Sequence, residues 1–148
     1  PDVSQAKLTI SGVRDEPGLA ARVFRTLADA GVLVDMIVQN VGDHSKTDIS
    51  FTVPLDHFDV AQSTCEEMAK SMGFSSVTGD KNLARVSVVG AGMASNPGVA
   101  ATMFETLASN SINIEMISTS PIRISCVVAE KDVDRATVAL HEAYGLGN

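Results

Sequence analysis

The chain has 148 residues, 45% of them hydrophobic but only 4% aromatic, with 18 acidic against 11 basic side chains and a formal charge of −7. That balance excludes nucleic acid and an anionic membrane surface as main partners, because both select basic patches and no basic cluster is present. No apolar run approaches the roughly 18–20 residues of a membrane span and no signal-peptide pattern opens the chain, so a cytoplasmic protein is expected.

In chain order, Lys7 to Val13 alternates toward Leu8 and Ile10 as a strand does, and Arg14-Asp15-Glu16 reads as a loop. Pro17 suits the first turn of a helix, and Leu19, Ala20, Val23, Phe24, Leu27 and Ala28 recur at helical spacing until Gly31 stops it. Val32 to Val41 and Thr47 to Val53 are β-rich runs around a polar loop, hence a hairpin that Pro54 ends. Val60, Cys65, Met68, Ala69 and Met72 predict a second helix closed by Gly73, and Ser75 to Thr78 a short strand. The second half repeats the order: strand Ala84 to Val89, loop Gly90 to Asn96, helix Pro97 to Asn110, strands Ile112 to Thr119 and Ile122 to Ala129, and helix Asp132 to Tyr144. On this last helix Val133, Ala136, Val138, Ala139 and Leu140 are available for burial.

Residues 17–37 laid over 97–117 are nearly half identical, with Pro17/Pro97, Gly18/Gly98, Phe24/Phe104, Leu27/Leu107 and Met36/Met116 among the matches. An internal repeat decides the architecture before any motif is read. The expected fold is α+β: two ferredoxin-like βαββαβ modules, each an antiparallel sheet with helices on one face. The expected domains are 1–80 and 81–148, linked near Gly79 to Asn82, with the terminal strand of the second trimmed. The opening Pro1-Asp2 suggests a piece of a longer protein.

Chemistry has few carriers. Cys65 and Cys126 lack a Cys-x-x-Cys partner or a nearby His and read as reduced, buried thiols. His44, His57 and His141 are scattered as surface histidines are, so neither a metal site nor a catalytic residue is expected. Gly90-Ala91-Gly92 before a helix, with Glu115 beyond, invites a dinucleotide reading. Ser95 at its third position, the absence of that pattern from the repeat, and the lack of further βαβ units weigh against it. The corners Asp15-Glu16-Pro17-Gly18 and Ser95-Asn96-Pro97-Gly98 remain. Free N–H groups at a helix start bind a carboxylate and a nearby acid binds an ammonium, the two groups of an α-amino acid. Taken alone, a Pro-Gly pair more often just starts a helix.

The runs Asp35-Met36-Ile37-Val38-Gln39-Asn40-Val41, Val86-Ser87-Val88-Val89-Gly90-Ala91-Gly92-Met93, Asn113-Ile114-Glu115-Met116-Ile117-Ser118-Thr119-Ser120 and Ile122-Arg123-Ile124-Ser125 resemble the tandem ACT domains of bacterial aspartate kinase, in order and over almost the whole chain. The resemblance implies a non-catalytic region that mediates feedback inhibition in lysine and threonine biosynthesis. It implies no cofactor in this chain, ATP and Mg belonging to an absent kinase domain. It also implies a homodimer through the ACT domains and a catalytic domain or large subunit as partner. A threonine-type effector site would map to Val13, Asp15, Gly18, Ala20 and Gln39, with Asn113 and Ile114 from the facing repeat. A lysine-type site would map to Asp35, Met93, Asn96, Val99, Ala100, Glu115 and Ser120. This second set departs from the family's pattern, since Asn96, Ala100 and Pro121 stand where His, Thr and Glu are common. A dimerisation module without ligand is the competing reading.

Overall fold

The computed structural model describes residues 3–14, 16–41, 46–89 and 98–144. Its backbone divides into two compact units, Gln5–Lys81 and Asn82–Asn148, the latter grouped with Pro1–Ser4.

The first unit holds β1 (Val3–Arg14) from Gln5 onward, α1 (Leu19–Asp29), β2 (Ile37–Val41), β3 (Lys46–Pro54), α2 (Phe58–Met72) and the opening of β4 (Ser76–Val89). Its strands lie in the order β2-β3-β1-β4, and β3 pairs antiparallel with both β1 and β2. Period-2 alternation sends Leu8, Ile10, Phe51 and Val53 to one face. There they meet Val23 and Leu27 of α1 and Ala61, Cys65 and Met68 of α2 in one core. The Phe24 ring meets Phe51 edge-on, with centroids 5.7 Å apart. Between Ile10↔Ile49 and Val13↔Thr47 the register shifts. At this bulge Gly12 takes φ 72 and its N–H donates to Asp48 Oδ1 at 3.2 Å.

The second unit repeats the plan with the rest of β4, α3 (Gly98–Ser109), β5 (Met116–Ser120), β6 (Arg123–Ala129) and α4 (Val133–Ala143). Here the order is β4-β6-β5, antiparallel throughout. Val86, Ile124, Cys126 and Val128 of the strands close a core with Met103 and Leu107 of α3 and Ala136 and Leu140 of α4. Each module is thus α+β with the ferredoxin-like order expected. An antiparallel sheet is incompatible with the doubly wound parallel sheet that a dinucleotide site requires, so that alternative falls.

Several local expectations need correction. The helix does not begin at Pro17: Leu19 N–H bonds to Glu16 O at 3.3 Å and Gly18 has φ 85 and ψ −10. Pro17 and Gly18 are therefore the middle of a type II turn, which requires positive φ at its third residue. The runs before β2 and β5 are not regular strand, although Asp35 N–H bonds to Thr52 O and Glu115 N–H to Val127 O. The two strands expected at Ser75 to Thr78 and Ala84 to Val89 are one, because β4 runs unbroken from Ser76 to Val89, with the division between the units, at Lys81 and Asn82, falling inside it. Val60 and Val138 are 50% and 59% exposed; each sits on the outer face of its helix, and Ala61 and Ala136 fill the inner positions.

Candidate functional site

The two copies build their site-bearing segments with the same local bonds. In α1 the N–H groups of Gly31 and Val32 bond back to Ala28 O and Leu27 O; in α3 those of Ser111 and Ile112 bond back to Ala108 O and Leu107 O. The Thr26 and Thr106 hydroxyls each donate to the carbonyl four residues earlier. Such a helix ending needs a left-handed residue, usually glycine. Gly31 supplies it at φ 81 and Ser111 at φ 57, where an L side chain is disfavoured by about 1 kcal/mol.

Past that ending the second module has an open hollow lined by Phe104, Ala108, Ser111, Ile112, Asn113 and Ile114. Asn113 is exposed and Ile114 half-buried, so an amide and a hydroxyl border an otherwise apolar floor. This arrangement suits a small ligand with both a polar and an apolar part.

Of the other threonine-type positions, Val13 lies near the end of β1, Gly18 and Ala20 at the start of α1, and Gln39 on β2. Val13 is 1% exposed and its side chain is core, leaving only its backbone to meet a ligand. Gly18 is exposed, with nothing within 4 Å of where a Cβ would stand, and no side chain caps α1. Ala20 is half-buried. Gln39, exposed on β2, stands opposite Ile49, so β3 separates it from β1. Asp15 lies outside the described residues.

Of the lysine-type set, Asp35 and Glu115 are exposed just before β2 and β5, and Val99 and Ala100 are half-buried in the first turn of α3. The Tyr144 hydroxyl donates to the Val99 carbonyl, joining the end of α4 to that turn. Ser120 closes β5; its Oγ accepts from Ile122 N–H and donates to Arg123 O, both at 3.4 Å. Met93 and Asn96, and with them the loop Gly90 to Ser95, lie outside the described residues. Phe104, Ala108, Ser111 and Ile112 were missed by the sequence reading. The repeat carried a signal for them, since Phe24/Phe104 and Ala28/Ala108 match while Gly31/Ser111 does not.

The titratable groups show no reactive thiol. Burial pushes the Cys65 thiol up to about 12, with Glu66 adding to the effect, and burial pushes Cys126 up to about 11, so both stay protonated and inert near neutrality. His57 Nδ1 accepts a 3.1 Å bond from Leu33 N–H, a structural task; His141 is exposed and His44 lies outside the described residues. Among the described residues no group of three His, Cys, Asp or Glu has metal-binding placement. No helix among them is long and apolar enough to cross a membrane.

Comparison with known proteins agrees with this architecture. The family model for the ACT domain matches residues 8–68 and 86–144. The aspartokinase of Mycobacterium tuberculosis is 49% identical over 148 residues, which cover 99% of this chain and 35% of that protein. The chain therefore spans about a third of the length of such curated relatives. A chain from the crystal structure of aspartokinase alpha and beta subunits superposes with a TM-score of 0.90 at 44% identity, covering 97% of this chain and 94% of that one. The ligand-free regulatory subunit of aspartate kinase from Thermus thermophilus gives a TM-score of 0.89 at 39% identity, covering 96% and 93%. With two modules matched in tandem and near-complete mutual coverage of a regulatory subunit, the chain belongs to the ACT domain family, as the regulatory part of an aspartate kinase.

Proposed function

We propose that this chain senses an end-product amino acid for an aspartate kinase, threonine, lysine or both, and that binding mediates feedback inhibition. The observation that carries the reading is the hollow bordered by Asn113 and Ile114, two of the positions that resemblance assigns to threonine. An open hollow is what a site completed by a second copy would present. In this reading Asp15, Gly18, Ala20 and Gln39 of one chain close over Asn113 and Ile114 of its partner. The exposed Ile37 and Ile117, equivalent in the repeat and placed on the edge strands β2 and β5, offer apolar surface for that pairing. One relative named above was solved with alpha and beta subunits together, which favours a catalytic subunit or domain as the partner that reads the signal. ATP and Mg then belong to that partner.

An effector shifts such an assembly only through differential affinity for its states, and couplings of about 1–3 kcal/mol are usual. The test is a thermal-shift screen of this chain with the twenty amino acids and with nucleotides, followed by calorimetry. A ligand that binds only the folded state raises the melting temperature. Threonine should protect, and Asp15→Ala should weaken its binding about tenfold or more with the melting temperature of the free chain nearly unchanged. No shift with any amino acid would leave a dimerisation module without ligand, and unchanged threonine affinity in Asp15→Ala would remove that residue from the site.

A further inference from the structure

Among the described residues Ser111 is the one non-glycine residue with positive φ. The helix ending accounts for its left-handed backbone, since the same bonds form at Gly31 in the first copy. It does not account for the side chain, because glycine does the same work there without conflict. What differs is the surroundings. Ser111 lines the hollow beside Asn113, whereas the equivalent positions in the first copy are Gly31 and Leu33, with Leu33 65% exposed. The first copy therefore has no polar side chain at either place, and the second has two. A disfavoured residue on the wall of a hollow is the kind of outlier from which function is inferred.

We propose that Ser111 is a specificity-determining residue. Its hydroxyl, with the Asn113 amide, recognises the side-chain hydroxyl of a small amino-acid effector, while Phe104, Ala108 and Ile114 receive the apolar part. The inference rests on the amino-acid-binding reading above and deepens it. A serine hydroxyl and an asparagine amide can each both donate and accept, so together they satisfy a ligand hydroxyl in either sense. A ligand with a methyl in place of that hydroxyl leaves those groups unpaired on binding, and this is how a polar site rejects an apolar near-isostere.

The experiment measures binding of threonine and of valine, its near-isostere, to the unmodified chain, Ser111→Ala and Ser111→Gly. Both variants should lose about three- to tenfold in threonine affinity, the effect of one hydrogen bond, and leave valine unchanged, so the preference for threonine narrows. Ser111→Gly should also melt at a higher temperature, because glycine relieves the left-handed backbone. A merely structural serine would move the melting temperature and leave the preference intact; that outcome in Ser111→Ala overturns the assignment while amino-acid binding stands. If the unmodified chain binds neither threonine nor any other amino acid, the assignment and the functional reading fall together.

Discussion

Two glycines with similar backbone angles carry different constraints. Gly12 and Gly18 have φ 72 and 85, but a Cβ on Gly12 would stand 2.0 Å from Ser75 Oγ and 2.6 Å from Ser75 Cβ, while one on Gly18 meets nothing within 4 Å. Gly18→Ala should therefore cost only the left-handed penalty, about 1 kcal/mol. Gly12→Ala should cost roughly 2–4 kcal/mol, since Ser75 is also tied by its N–H to Ser11 O at 2.9 Å. Urea unfolding of the two variants checks the ranking, and equal losses would contradict it. The buried thiols give a pH dependence. Their folded pKa values are raised from 9.0 to about 12 for Cys65 and about 11 for Cys126. The stability they contribute is therefore fully present below pH 9 and is lost as pH rises from there through the folded values, the unfolded chain ionising first. Cys65→Ala should flatten the alkaline fall in unfolding free energy between pH 8 and pH 11. At this scale the sequence showed the buried cysteines, because isolated Cys with no ligand partners is a core residue. It did not show that Pro17-Gly18 forms a turn, because Pro before Gly satisfies a helix start and a type II turn alike and only the Glu16 carbonyl bond decides.

The helices were legible from their 3.6-residue periodicity, down to the stops at Gly31 and Gly73, whose φ values of 81 and 77 are the reason glycine stands there. Strand β4 was not legible as one element. Gly79 and the polar residues around it look like a linker in sequence, yet Gly79 is inside the strand because only glycine fits: a Cβ would lie 2.6 Å from Phe58 Cζ and 3.4 Å from Leu8 Cδ2. The Phe58 ring is 5% exposed and carries the Lys81 ammonium 5.5 Å from its centroid, so it has little room to retreat. Gly79→Ala should destabilise by about 1–3 kcal/mol, and Phe58→Leu in the same chain should recover part of that loss, as double-mutant unfolding would reveal.

Each module carries its own core, and Leu27 and Leu107 are fully buried at equivalent places in the two. Leu27→Ala and Leu107→Ala should each cost about 2–5 kcal/mol. Because the two side chains belong to separate cores, the double variant should lose the sum to within about 0.5 kcal/mol. A markedly non-additive result in denaturant would show that the cores are energetically coupled. The candidate site divides along the same line. Asn113 and Ile114 are brought to one hollow with residues that the sequence had not singled out, whereas in the first module Val13 lies near the end of β1, Gly18 and Ala20 at the start of α1, and Gln39 on β2.

The sequence alone determined the module and its duplication. Hydrophobic periodicity follows from helix and strand geometry, and a repeat of 80 residues preserves that periodicity twice. Tertiary structure alone decided where Ser111 stands, which face of each helix Val60 and Val138 occupy, and that β4 runs unbroken. Such outcomes depend on which atoms meet across the fold, as the Phe58 ring meets Gly79 of β4, and local pattern carries no record of contacts between residues distant in sequence.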